Sequence, residues 1–237
     1  MSAPDAAVPR FRGVLLDWRG TLVVAPTYAW LVRSALRALA RPDTDDDVEA
    51  VRASLRTADA TEVESSAVDI DADLHRSAYA RWFRAAGLDA ELAEALYAAE
   101  SDTAANPFAD DVGPLLLALR GAGVEVGVLS DIHVDLRPAF AAHRTADGTT
   151  WADLVDTWTL SFEVGAAKPD PVIFEQALHE LGLPAGDVLM VGDRGTHDGA
   201  AAALGITTLL LPPLASPQEL RLQRVLDLVL PGARLTG

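Results

Sequence analysis

Two hydrophobic patterns divide the chain. Near the amino end the short unbroken apolar run Gly13-Val14-Leu15-Leu16 leads into Asp17-Trp18-Arg19-Gly20-Thr21-Leu22. A run this short, with no polar alternation, predicts a strand over residues 12–17 that is buried on both faces and delivers a carboxylate into a Gly-Thr turn. From Tyr28 to about Asp102 the pattern changes to alanine-, leucine- and arginine-rich sequence with few β-branched runs. Breaks at Arg41-Pro42, Ala58 to Ser66 and Gly87 predict about four helices. The cluster Asp43-Thr44-Asp45-Asp46-Asp47 falls at a helix start, where acidic side chains cap free N–H groups and suit the macrodipole, and nothing near it completes a metal-ligand set. Trp82 and Phe83 are expected in the core of this helical lobe, with substrate contact as the alternative.

After Asn106-Pro107 strands and helices alternate. Helices are expected at residues 114–120, 136–142, 171–181 and 198–204, and strands at 124–129, 157–161, 188–191 and 206–211. Residues 219–230 add a last amphipathic helix. Such alternation predicts an α/β fold, a Rossmann-like doubly wound parallel sheet with helices on both faces. The helical stretch lies between the first strand and the others. The expected division is therefore a core of residues 1–24 and 107–237 and an inserted helical cap of residues 25–106, with no internal repeat and no long low-complexity linker.

Composition narrows the chemistry. A chain of 237 residues, half of them hydrophobic, is long enough for a sizeable core. Its net charge of −16 argues against non-specific binding to nucleic acid or to anionic membranes and leaves a small polar substrate. No apolar run reaches the roughly 18 to 20 residues that span a bilayer, and residues 1–10 lack the basic-then-apolar order of a signal peptide, so a soluble, cytoplasmic protein is expected. Without cysteine there are no disulfides, thiolate zinc sites or cysteine nucleophiles, and a metal must use oxygen or imidazole ligands, which favours Mg²⁺. Against eighteen arginines there is one lysine, Lys168. Either it occupies a place that needs a compact ammonium on a flexible stem, or its survival is chance.

Four strand ends carry polar groups: Asp17, Ser130-Asp131, Lys168, and Gly192-Asp193 with Asp198 five residues on. In a parallel sheet all these ends lie on one edge. The segments Asp17 to Leu22, Val128-Leu129-Ser130-Asp131, Glu163 to Pro171 and Val191 to Asp198 resemble, in order, the four motifs of the haloacid dehalogenase superfamily. The resemblance spans about residues 12–211. The helical stretch matches in position the small four-helix cap of the subfamily that contains phosphoglycolate phosphatases, β-phosphoglucomutase and haloacid dehalogenases.

That resemblance implies an enzyme in which Asp17 attacks phosphorus and forms an aspartyl phosphate that water hydrolyses. It implies Mg²⁺ held by Asp17, the backbone carbonyl of Arg19, Asp193 and Asp198, with Lys168 adding positive charge. Ser130, Asp131, Thr21 and Lys168 are the implied substrate-binding residues, and the substrate a small phosphorylated metabolite. Charge supports the scheme separately, because a carboxylate approaching a phosphate dianion needs neutralisation. Plainer roles stand beside these. Ser130 would cap a helix over residues 131–142, and Asp198 the helix it begins. His197 is expected at the surface, and His133 either at a helix start or near the pocket. Asp131 stands where the family has asparagine or another small polar residue, and it either adds negative charge beside the phosphate or pairs with Arg19 or Arg194.

Arg19 departs from the pattern. Phosphatases of this superfamily carry a second aspartate there, which protonates the leaving oxygen and then deprotonates water; such help is worth about 10² to 10⁴ in rate. An arginine does not exchange protons near neutral pH. Three readings follow. The leaving group needs no acid, as in acyl or enol phosphates, with Arg19 catalytic or substrate-binding; or the reaction is carbon–halogen hydrolysis; or Arg19 pairs with Asp17 and leaves a silent binding or regulatory protein. The acidic pair Asp193 and Asp198, and the absence of a tyrosine-type pattern after Asp17, weigh against a dehalogenase. The expected activity is therefore a magnesium-dependent phosphohydrolase or phosphotransferase.

Overall fold

A computed structural model describes residues 8–235. Its sheet has five parallel strands: β1 (Gly13–Leu16), β2 (Glu125–Ser130), β3 (Thr157–Leu160), β4 (Val188–Gly192) and β5 (Thr207–Leu210), in the spatial order β3-β2-β1-β4-β5. Central β1 pairs with both β2 and β4, so that Leu16 faces Val128 on one side and Val191 on the other. Val14, Leu16, Val126, Val128, Leu189 and Val191 point to one face, and Leu15, Leu129 and Met190 to the other. Both faces are covered, which is why the strands read as continuous apolar runs.

The first face packs on helices α5 (Val112–Gly121) and α9 (Gln223–Val229), through Leu115, Leu116, Leu119 and Val225. The second packs on α8 (Pro171–Leu181), through Ile173, Phe174 and Ala177. The chain leaves β1 towards β2, and leaves β4 towards β5 on the opposite side. The crevice between the ends of β1 and β4 is thus the switch point at which open α/β sheets bind ligands.

Between β1 and α5 run four longer helices: α1 (Tyr28–Ala38), α2 (Asp45–Thr57), α3 (Ala72–Ala85) and α4 (Ala90–Ser101). A 3₁₀ turn, Ser66–Ile70, precedes α3. The four helices enclose their own apolar cluster around Leu31, Val32, Leu55, Trp82, Phe83 and Leu96. Trp82 and Phe83 are therefore core residues. Thr44 caps α2 in a reciprocal capping box with Asp47, and Asp45, Asp46 and Asp47 occupy its first turn. The acidic cluster is a helix start.

Some boundaries differ from the sequence expectation. The helix expected at 136–142 shrinks to α6 (Arg137–Ala141), preceded by a turn that carries Asp131 to Leu136. The segment 198–204 is 3₁₀ rather than α. The last helix starts at Gln223 rather than 219, because tertiary hydrogen bonds hold the preceding residues in another shape. Arg221 donates to the carbonyls of Gly20 and Thr21 at 3.1 and 2.8 Å, and the Leu222 amide donates to Asp111 at 2.7 Å. Among the described residues no helix is long and apolar enough to cross a membrane.

Candidate active site

The loop after β1 is shaped by three residues around Asp17. Trp18 is buried against Phe108 and Phe140, with ring centroids 5.1 and 5.5 Å away, and anchors the loop from behind. Gly20 has φ +82°, and a Cβ there would collide with the Asp193 carboxylate, so this position accepts only glycine. Thr21 is fully buried and donates its hydroxyl to Asp17 Oδ2 at 3.1 Å. It orients the carboxylate from inside the protein instead of facing a substrate.

The other Asp17 oxygen belongs to Lys168. This lysine reaches the same point from the loop that follows β3 and the short helix α7 (Ser161–Val164). Its Nζ donates to Asp17 Oδ1 and to Asp198 Oδ1, each at 2.6 Å, and all three side chains are buried. Burial opposes the charge on Lys168, but the carboxylates of Asp17, Asp131 and Asp198 outweigh it and hold its pKa above the ordinary value. Burial acts the other way on Asp17. Despite Lys168, and with the neighbouring charges of Asp198 and Asp193, its carboxyl is pushed up to about 6.

Asp198 closes the arrangement. Its second oxygen accepts the backbone N–H groups of Asp193 and Arg194 at 3.1 and 2.8 Å, which fixes the turn after β4. Gly192 is needed because a Cβ there would run into the Asp198 side chain. Asp198 therefore tethers the preceding turn and Lys168, rather than capping its own helix. Asp17, Asp193 and Asp198 each offer a carboxylate oxygen within 4.8 Å of the others. Asp193 Oδ1 is buried with no hydrogen-bond partner, an orphan acceptor that a cation would satisfy. Three hard oxygen donors and an orphaned lone pair fit Mg²⁺.

A cavity of about 330 Å³ opens over these groups. Asp17, Arg19, Ser130, Asp131, Lys168, Asp193 and Arg194 line it from the strand edge, and Asp69, His75, Tyr79 and Glu100 from the helical segment. Ser130 does not cap a helix, since α6 begins seven residues later. Asp131 Oδ1 accepts the Lys168 amide at 2.8 Å, so its partner is a backbone N–H and neither Arg19 nor Arg194. His197 is partly exposed, and its ring Nδ1 lies 3.0 Å from the Thr196 hydroxyl.

Arg19 points away from Asp17. Its guanidinium donates to Glu100 Oε1 at 2.7 Å, to the Glu100 carbonyl at 2.9 Å and to Asn106 Oδ1 at 2.9 Å. Pairing with Asp17 is thereby replaced by a three-bond clamp on the end of α4 and the chain that returns to α5. His133 is likewise not a helix-start residue. It is buried and stacks on His75 of α3, with ring centroids 3.4 Å apart and planes 9° from parallel, and its Nε2 lies 2.9 Å from Ser101 Oγ. Burial, then the charge of a neighbour, pushes His75 down to about 3 and His133 to about 4. Asp69, His75 and His133 also bring ligand atoms within 4.8 Å. The face-to-face stack keeps the in-plane lone pairs of the two rings parallel instead of convergent, so this group does not form a metal centre.

Asp69, His75, Tyr79 and Glu100 were not marked by any motif. They belong to helices whose pattern encodes only their own packing, and they meet the strand edge from 30 or more residues away in sequence.

Residues 11–205 match the family described as haloacid dehalogenase-like hydrolase. The chain belongs to that family. The five-stranded parallel sheet agrees with that membership. It is similar to protein CbbY, plasmid, of Cupriavidus necator, 30% identical over 115 residues that make up 48% of this chain and 44% of the relative. It is also similar to a phosphoglycolate phosphatase of Rhodospirillum rubrum, 30% identical over 97 residues, 41% of this chain and 38% of the relative. The chain thus spans less than half the length of the curated relatives it matches. Among solved structures, a 2-haloacid dehalogenase from Pseudomonas syringae pv. Tomato DC3000 shares the fold with a TM-score of 0.56 and 20% identity, over 84% of this chain and 86% of that one.

Proposed function

We propose that this haloacid dehalogenase-like hydrolase is a magnesium-dependent phosphohydrolase acting on a small phosphorylated metabolite through Asp17. One observation carries the reading: the buried Asp17 carboxylate is bound by Lys168 and faces the acidic pair Asp193 and Asp198, with Asp193 Oδ1 left unpartnered. Displacement of a halide from carbon gives no use for a third, orphaned carboxylate, whereas a phosphate dianion beside Asp17 requires a cation. Similarity to a phosphoglycolate phosphatase supports the same choice.

Asp17 attacks phosphorus, the bond from phosphorus to the leaving oxygen breaks, and water then releases inorganic phosphate from the aspartyl phosphate. Thr21 and Lys168 hold one Asp17 oxygen each and so aim the carboxylate. Mg²⁺, held by Asp17, Asp193 and Asp198 with the Arg19 carbonyl, would supply neutralising charge. Ser130, at the end of β2, binds a phosphoryl oxygen. Arg194 is exposed at the cavity, forms no ion pair among the described residues, and receives a second anionic group of the substrate. Helices α1 to α4 act as a cap over the cavity, and the Arg19 clamp fastens the cap to the nucleophile loop. Arg19 supplies no proton, so the strand-edge residues by themselves release only a good leaving group.

The test is phosphate release with Mg²⁺ from aryl, acyl and alkyl phosphates, by the wild type and by Asp17→Asn. Turnover is expected in the first and only background in the second, with an adduct of beryllofluoride at Asp17 in the wild type. Undiminished phosphate release by Asp17→Asn, or hydrolysis of 2-chloroacids with no phosphate release at all, would overturn the assignment.

A further inference from the structure

Arg19 removes the proton shuttle from the nucleophile loop, and the cavity contains few groups able to replace it. Arg19 itself is held by Glu100 and Asn106. Glu100 is occupied by Arg19, and Asp131 by the Lys168 amide. His75 and His133 are stacked in a buried pair that favours neutral rings. Tyr79 is buried and held far above its ordinary value, so its phenol does not cycle near neutral pH. Apart from Asp193, whose orphaned oxygen is set towards the cation, one carboxyl of the cavity has no guanidinium, ammonium or amide partner among the described residues, and it belongs to Asp69.

Its placement is fixed from both sides. The Asp69 carbonyl accepts the Ser161 hydroxyl at 2.6 Å, and the same hydroxyl receives the Ile132 amide at 2.8 Å. The backbone of the Ser66–Ile70 turn is therefore tied to the loops that follow β2 and β3. The side chain is 26% exposed and opens into the cavity that holds Asp17 and Lys168. We infer that Asp69 is the catalytic acid and base of this enzyme, delivered by the cap in place of the group that Arg19 displaced. The inference rests on the phosphohydrolase reading above.

The proton balance is complete. As Asp17 attacks phosphorus and the bond to the leaving oxygen breaks, the Asp69 carboxyl gives its proton to that oxygen and becomes a carboxylate. As water attacks the aspartyl phosphate, the Asp69 carboxylate takes one proton from that water. The phosphorus–Asp17 bond then breaks, Asp17 regains its charge, phosphate leaves and Asp69 is again protonated. The surroundings poise the group for both halves. Burial, then the charges of Asp131 and Glu100, push its carboxyl up to about 7, against the opposing pull of Arg19 and Arg194. His75 faces it as well, with Nε2 3.8 Å from Oδ1.

The experiment compares the wild type with Asp69→Asn and Asp69→Glu on an alkyl phosphate, p-nitrophenyl phosphate and acetyl phosphate, with Mg²⁺. Asp69→Asn is expected to lower kcat on the alkyl ester by about 10² or more, and to still form the aspartyl phosphate from acetyl phosphate. That species then accumulates, visible as a mass increase on Asp17, because water lacks its base. Asp69→Glu should recover part of the alkyl rate. Wild-type kcat on the alkyl ester should fall above pH 7, and this limb should vanish in Asp69→Asn. Equal loss on all three substrates with no accumulation, or no loss on any, would overturn the role of Asp69. Absence of phosphate release from every substrate by the wild type would instead overturn the phosphohydrolase reading beneath it.

Discussion

The two walls of the cavity are built by different rules. On the strand edge each polar group follows a buried strand, and its position is set by backbone pairing: Asp17 continues β1, Ser130 ends β2, Asp193 follows β4. Asp17 and Asp198 are also compensated at short range, each 2.6 Å from Lys168, while Asp193 Oδ1 has no partner. On the opposite wall His75 and Glu100 come from helices with their own apolar cluster and are positioned by side-chain contacts to the strand edge, and Asp69, whose carbonyl accepts the Ser161 hydroxyl, comes from the 3₁₀ turn before α3. That wall holds a half-satisfied carboxylate, Glu100, whose Oε2 has no hydrogen bond, and two histidines that resist protonation. A backbone-set wall suits a reaction centre that must stay still. A side-chain-set wall suits a surface that can differ between relatives while the sheet is kept.

The contrast is broken most severely at Lys168. Lys168→Met removes the only cation from between two buried carboxylates, and loss of one partner from such a group costs about 3–5 kcal/mol. A urea midpoint shifted to match, together with turnover near background, is the expected pair of results. An unchanged midpoint would mean that the strand edge does not depend on this charge.

Arg19 tests the opposite wall. Arg19→Ala leaves Glu100 buried without its guanidinium, and because the Arg19 side chain is 29% exposed the expected loss is smaller, about 2 kcal/mol. Arg19→Asp is worse, since it sets a carboxylate against Glu100. The informative variant is therefore Arg19→Asp with Glu100→Gln, which relieves the repulsion and restores a carboxyl beside Asp17. It should be more stable than Arg19→Asp by urea unfolding and hydrolyse alkyl phosphates faster than Arg19→Ala.

The smallest effect is the pH response of the histidine stack. Both rings have folded-state pKa values below the ordinary 6.5, at about 3 and 4, so between these limits the unfolded chain binds more protons than the folded one. Their contribution to stability is full above pH 6.5 and is lost as the pH falls through that window. Melting temperature should drop more between pH 7.5 and 5 in the wild type than in His75→Phe, which keeps a ring in the stack and removes one titrating group. Equal drops would show that the rings are already protonated in the fold.

Much of the strand edge was legible without coordinates, and for a reason. A strand buried on both faces announces itself as an apolar run, and the residue that follows it must emerge at the sheet edge, so Asp17, Ser130 and Asp193 could be placed by position alone. Lys168 was singled out as the one lysine in an arginine-rich chain. The orientation of these groups was less legible. Thr21 turned out to support Asp17 from a fully buried position, and Asp131 to bind a backbone amide rather than an arginine. The role of Asp198 as a tether of the turn at Asp193 and Arg194 depends on hydrogen bonds that spacing does not specify.

By itself the amino-acid sequence determined the alternating α/β order, the helical segment between β1 and β2, the family to which the chain belongs, and the chemical fact that residue 19 does not carry a proton. These follow from local hydrophobic period and from side-chain chemistry, which every segment holds independently of its neighbours. Tertiary structure alone decided what Arg19 does with its charge, which is to grip Glu100, 81 residues away, and it alone brought Asp69 into the cavity with Asp17. Contacts between distant segments arise from the docking of two separately packed cores, and no periodicity within either one records which of its polar residues will face the other.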